Sequence, residues 1–220
     1  MNRLQSELQR LYPQDPQGER AIVLEVAGPA AWEQLAAVWQ GVQSELQLPA
    51  PGIAVSGSGY QLWFSLAQPV PRAQALAFVE ALRARYLADV PAEHLRTSPA
   101  EGSVPQISGM PPGERGEDRW AAFVAPDLAA LFVHEPWLDL PPGNDAQADL
   151  LSRLQSMGAA DLQRALAQPA AEGGSAPGSA QDPRSFLLQV MNDRAVDLAL
   201  RIEAAKALLP WTEGQRGAAR

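Results

Sequence analysis

With 220 residues, 46% of them hydrophobic, the chain can bury a sizeable core and reads as one medium domain or a domain with an appendage. Its formal charge of −8 argues against nonspecific binding along a duplex, which needs a basic footprint, although a local arginine cluster overrides such an average. The absence of cysteine removes disulfides, thiolate metal sites and thiol catalysis together.

Residues 2–12 place Leu4, Leu8 and Leu11 at helical spacing, and Pro13 and Pro16 stop that helix. "RAIVLEVAG" (20–28) is a continuous apolar run, as expected of a buried strand. After Gly28-Pro29, residues 30–46 carry Trp32, Leu35, Val38, Trp39, Val42 and Leu46 at helical intervals, and Pro49 and Pro51 end the helix. "GIAVSG" (52–57) and "YQLWFSL" (60–66) read as two short strands joined by Ser58-Gly59, where glycine supplies the positive φ of a tight hairpin. Pro71 opens a second amphipathic helix with Ala75, Phe78, Val79, Leu82 and Tyr86 on one face. A Pro/Gly-rich stretch (97–117) precedes a last strand at 120–124. The order β-α-β-β-α-β predicts a split βαβ arrangement, ferredoxin-like or like an RNA-recognition motif, with its helices on one face of an antiparallel sheet.

The remainder reads as helical. Short helices are expected in "PDLAALFVHEP", "NDAQADLLSRLQSM" and "AADLQRALAQ". Residues 1–168 therefore form the α/β domain with its trailing helices. "PAAEGGSAPGSAQ" (169–181) is a flexible linker by composition. Residues 182–211 form a helical hairpin, with Asp182 and Pro183 suited to its start. That hairpin is too small to fold alone and is expected to serve a protein contact or self-association.

Catalytic chemistry is sparsely signalled. The two histidines, His94 in "PAEHLR" and His134 in "LFVHEPW", read as surface or capping residues. No metalloprotease helix, Walker loop or nucleophile elbow is present. The acid pairs Glu117/Asp118 and Asp145/Asp149 read as solvated faces.

"SGSGYQLWFSL" (56–66) admits two readings. It is a hairpin loop, or its successive backbone N–H groups form an anion nest to which Ser56 and Ser58 add donors. Alternation puts Gln61 and Trp63 on one face of the strand, with Leu62 and Phe64 on the core face. On an open face the Trp63 indole would stack a base; covered by the C-terminal helices, it would be packing.

This stretch, preceded by an apolar strand that ends in an acid, resembles the archaeo-eukaryotic primase superfamily over about residues 20–125. The resemblance implies a nucleotidyl-transfer site on the sheet, with acids on a first strand holding divalent metals. It also implies a Ser-containing turn followed by His, which contacts phosphates, and a third acid on a later strand. Glu25 matches the first acid, and Ser56, Gly57, Ser58 and Gly59 match the turn. Ala27 stands where a second acid belongs and Gln61 where the histidine belongs. Asp127 is the nearest match to the third acid. The resemblance thus implies phosphate contacts at Ser56, Gly57, Ser58, Gly59, Gln61 and Trp63, and metal contacts at Glu25 and Asp127. Two-metal transfer needs several carboxylates about one site, which these two do not provide.

Residues 182–211, with "DPRSFLLQ" at the start and "AAKALLP" near the end, resemble phage terminase small subunits, which bind DNA and oligomerise. The two resemblances together imply mobile-element or replication-related ancestry. The leading expectation is a non-catalytic nucleic-acid-associated or scaffolding protein. The alternatives are a nucleotidyltransferase using Mg or Mn, and a pure protein-interaction module. The polar opening, "MNRLQSELQRLYPQDPQ", and the lack of an apolar span predict a cytoplasmic protein with no membrane partner.

Overall fold

A capping box fixes the first helix, α1 (Arg3–Leu11): the Asn2 side chain accepts the Gln5 N–H, and the Gln5 side chain accepts the Asn2 N–H. Then follow β1 (Glu19–Ala27), α2 (Ala31–Ser44), β2 (Gly52–Val55), β3 (Gly59–Val70) and α3 (Arg72–Tyr86). Three further strands, β4 (Leu95–Ser98), β5 (Gly113–Gly116) and β6 (Arg119–Val124), precede α4 (Asn144–Ser152) and α5 (Ala159–Ala167). The computed structural model describes residues 2–28, 30–99 and 109–168, all within the unit Met1–Gly174. The linker expected at 169–181 and the hairpin expected at 182–211 lie outside the described residues.

The chain is mixed α/β, with six strands in the order β4-β1-β3-β2-β6-β5. Every neighbouring pair is antiparallel. The strand expected at 120–124 is β6, and it extends the sheet beyond β2. The place beside β1 is taken instead by β4, within a segment the sequence presents as a turn and a Pro/Gly-rich stretch. Four residues, "LRTS", with Arg96 exposed, carry no alternation to mark that strand. A short, charged strand of this kind suits a sheet edge.

The two crossover helices α2 and α3 share one face of the sheet, as expected, and α1 and α4 cover the other. On the first face Ile22, Leu24, Val26, Ile53, Val55, Leu62 and Phe64 pack against Leu35, Val38 and Val42 of α2 and Phe78, Val79 and Leu82 of α3. Leu162 and Ala165 of α5 join the same core. The second face is also apolar, since Ala21, Val23, Ala54, Trp63 and Phe123 all point to it. Left open, such a patch would lose the stabilisation of about 25 cal/mol per Å2 that burial brings. Leu4 and Leu11 of α1, with Ala148 and Leu151 of α4, bury it. Around 129–132 the expected helix is reduced to a single 3-10 turn. Among the described residues, no helix is long and apolar enough to cross a membrane.

Candidate functional site

The Ser56–Gly59 turn sits where β2 passes into β3. Val55 pairs with Tyr60, and the Ser56 N–H donates to the Gly59 carbonyl at 3.0 Å, so the loop residues are Gly57 and Ser58. Gly57 has φ +91°, the positive value that a two-residue hairpin loop with glycine first requires. Gly59 belongs to the strand and pairs with Ala27 of β1. A Cβ there would meet the Val26 carbonyl oxygen and lie 2.7 Å from the Ala27 Cα.

The turn's backbone donors already have acceptors. Besides the Ser56 amide, Gly57 donates to the Pro136 carbonyl at 2.8 Å. Ser58 and Gly59 donate to the Ser56 Oγ at 3.3 and 3.0 Å. Ser58 also sends its hydroxyl to the Glu25 Oε1 at 2.9 Å, and the Ser56 hydroxyl lies at the same distance from that oxygen. The loop therefore turns its amides and hydroxyls on the protein itself. Donors for a ligand at this place would have to come from side chains of other elements.

Glu25 is the hub of the arrangement. Across the sheet it stands opposite Gln61 of β3 on one side and Arg96 of β4 on the other. Its side chain, in a residue only 9% exposed, accepts from the two serines at Oε1 and from the Gln61 Nε2 at Oε2, at 3.0 Å. The Trp63 Nε1 donates to the Gln61 Oε1 at 2.9 Å. Indole N–H is a donor only, so it holds the oxygen of the Gln61 amide and turns the NH2 group towards Glu25. The Arg96 Nη1 lies 4.0 Å from the Glu25 Oε1, beyond hydrogen-bond range.

Trp63 shares the Gln61 face, as alternation predicts, but it is closed to any ligand. It is 1% exposed and packs edge-on against Tyr12 at 5.3 Å and Phe123 at 5.9 Å. The covering elements are α1 and α4, so the indole offers no platform for a base.

One step along the same face, where the helical cover ends, Glu25, Ser56, Gly57, Ser58 and Gln61 line a cleft of about 490 Å3. Its other walls are Gly109 and three arginines, Arg96, Arg115 and Arg119. Arg115 reaches the Gly109 carbonyl through its Nη2. Arg119 lies over the Trp137 ring, with its Cζ 4.3 Å from the ring centre, a cation–π contact. Three cations thus face one buried anion. Sequence reasoning did not single out these arginines, which enter from β4 and from the β5–β6 hairpin. Local composition did not mark them, since residues 96–119 carry three arginines against four acids, Glu101, Glu114, Glu117 and Asp118.

Asp127 is exposed and lines a different cleft of about 270 Å3, together with Trp39, Ile53, Phe123, Leu150 and Arg153. The structure does not bring it to Glu25. Among the described residues, no group of three or more His, Asp or Glu side chains is placed to hold a metal. His94 is half-buried in the turn Ala92–His94, His134 is exposed, and neither lines the arginine cleft. Compared with known protein families, curated proteins and solved structures, the chain finds no match.

Proposed function

We propose that the chain is a non-catalytic, nucleic-acid-associated binding or scaffolding protein on a primase-like split βαβ core, with the arginine cleft as its phosphate site. The observation that carries this reading is the gathering of Arg96, Arg115 and Arg119 about one cleft, on a chain whose net charge is −8. Guanidinium groups suit phosphate oxygens because their N–H forks bind two oxygens at once. The strand order β4-β1-β3-β2, with α2 and α3 on one face, supports the split βαβ core. The proximity of Glu25, the Ser56–Gly59 turn and Gln61 agrees with the positions that the primase resemblance gives them.

The same geometry favours binding over turnover. A two-metal clamp needs several carboxylates about one site. Glu25 has serines, a glutamine and arginines for neighbours, and Asp127 lies elsewhere. A labelled single-stranded oligonucleotide titrated with the full chain at low salt tests the reading by fluorescence anisotropy. Replacing Arg115 and Arg119 with glutamine should weaken binding by roughly tenfold or more, the scale of losing charge-assisted hydrogen bonds. Absence of binding by the native chain, or unchanged binding by the double variant, contradicts it.

A further inference from the structure

We infer that the cleft selects a phosphate ester with a free hydroxyl next to the phosphate. In a nucleic acid that hydroxyl is the ribose 2′-OH, so the ligand is single-stranded RNA rather than DNA. This rests on the phosphate reading above and names the ligand within it.

The argument begins from an anion in the wall of a phosphate site. Glu25 opposes phosphate, yet three donors, two from the turn and one from β3, hold it there. A carboxylate has about four lone-pair sites. Ser56 and Ser58 take up Oε1, whereas Oε2 has one protein donor, the Gln61 amide, and so retains an acceptor site. The Trp63 indole fixes that amide from behind, so Gln61 cannot flip and withdraw its NH2 group. The carboxylate is therefore built in as an acceptor, and it lines the cleft.

The matching donor must come from the ligand, and Arg96 sets its place. Its guanidinium stands 4.0 Å from the Glu25 Oε1, with the side chain 67% exposed. That separation is too long for a direct hydrogen bond, so the N–H groups of Arg96 remain open to a phosphate oxygen. A phosphate held there puts the hydroxyl of the adjoining sugar within reach of the carboxylate. Deoxyribose presents no donor at that point, and the 2′-OH is the group by which proteins tell RNA from DNA. A chain of linked phosphates would instead press a second anion on Glu25.

The test is a pair of anisotropy titrations of the full chain with labelled oligouridylate and oligodeoxyuridylate of equal length, which differ only in the 2′-hydroxyl. The ribo-oligomer should bind about tenfold tighter, the scale of one hydrogen bond to a charged acceptor. In Glu25→Gln that advantage should fall below about twofold, while the deoxy-oligomer binds at least as well because an anion has left the wall. Equal loss for both oligomers in Glu25→Gln would assign Glu25 a purely structural role and overturn the inference. Equal binding of both by the native chain, a comparison that needs no variant, also overturns it and leaves the phosphate reading standing. Failure to bind either oligomer overturns both readings.

Discussion

Gly57 and Gly59 stand two positions apart, and different constraints hold each in place. Gly57 serves the loop through its positive φ, whereas Gly59 serves the close passage of β1, whose backbone occupies the place of a side chain. Alanine at Gly57 adds strain of about 1–3 kcal/mol and meets the Arg115 Cβ at 3.1 Å, a contact far less tight than those at Gly59. Alanine at Gly59 meets backbone that cannot give way, so the loss should be larger, about 3 kcal/mol or more. Denaturant unfolding of the two variants checks the order, and a milder effect at Gly59 would contradict this account of the turn. The serine-glycine pattern was legible in the sequence as a hairpin. The destination of its amides was not, because their acceptors, the Pro136 carbonyl among them, come from remote or side-chain groups with no local signature. The Trp63 face was legible from alternation, but its cover was not, since Tyr12 and Phe123 are far from it and from each other in sequence.

The elements follow the same division. Strands and helices with apolar periodicity announce themselves: β1, β2, β3, α2 and α3 lie close to their expected positions. β4 and β5 do not, because strands of four largely polar residues are defined by their partners rather than by pattern. The arginine cleft was hidden for this reason, since two of its three cations sit on those strands. On the second face, α4 is pinned to β6 by a side chain that behaves as a strand partner. Buried Gln147 donates its Nε2 to the Phe123 carbonyl and accepts the Phe123 N–H at Oε1, each at 2.9 Å. Gln147→Leu keeps the bulk and strands two buried backbone groups, which should cost about 2–4 kcal/mol in denaturant unfolding. A neutral effect would mean that water reaches this strand and that α4 is not its cover.

At the scale of the domain, helices cover most of both sheet faces, and the phenols beneath them report that burial. Burial pushes the Tyr60 hydroxyl up to about 12, and it raises Tyr12 and Tyr86 further, with the Glu45 carboxylate adding to the effect at Tyr86. A phenol kept neutral in the fold gives its full contribution below pH 10, the ordinary tyrosine value. Above that the unfolded chain loses its protons first, and the contribution fades as pH rises through the folded value. Stability should therefore fall between pH 10 and 12, by about 1 kcal/mol per buried tyrosine at pH 11. The fall should be shallower in Tyr60→Phe, and denaturation midpoints along a pH series measure it. The central claim is that three arginines, in a chain acidic as a whole, make one phosphate site. Its most direct test is the salt dependence of single-strand binding by the native chain and by a variant with Arg96, Arg115 and Arg119 all replaced by glutamine. Each lost phosphate contact should lower the slope of log K against log salt by about 0.7. The account predicts a slope smaller by about 2 in the variant, and equal slopes in the two proteins would contradict it.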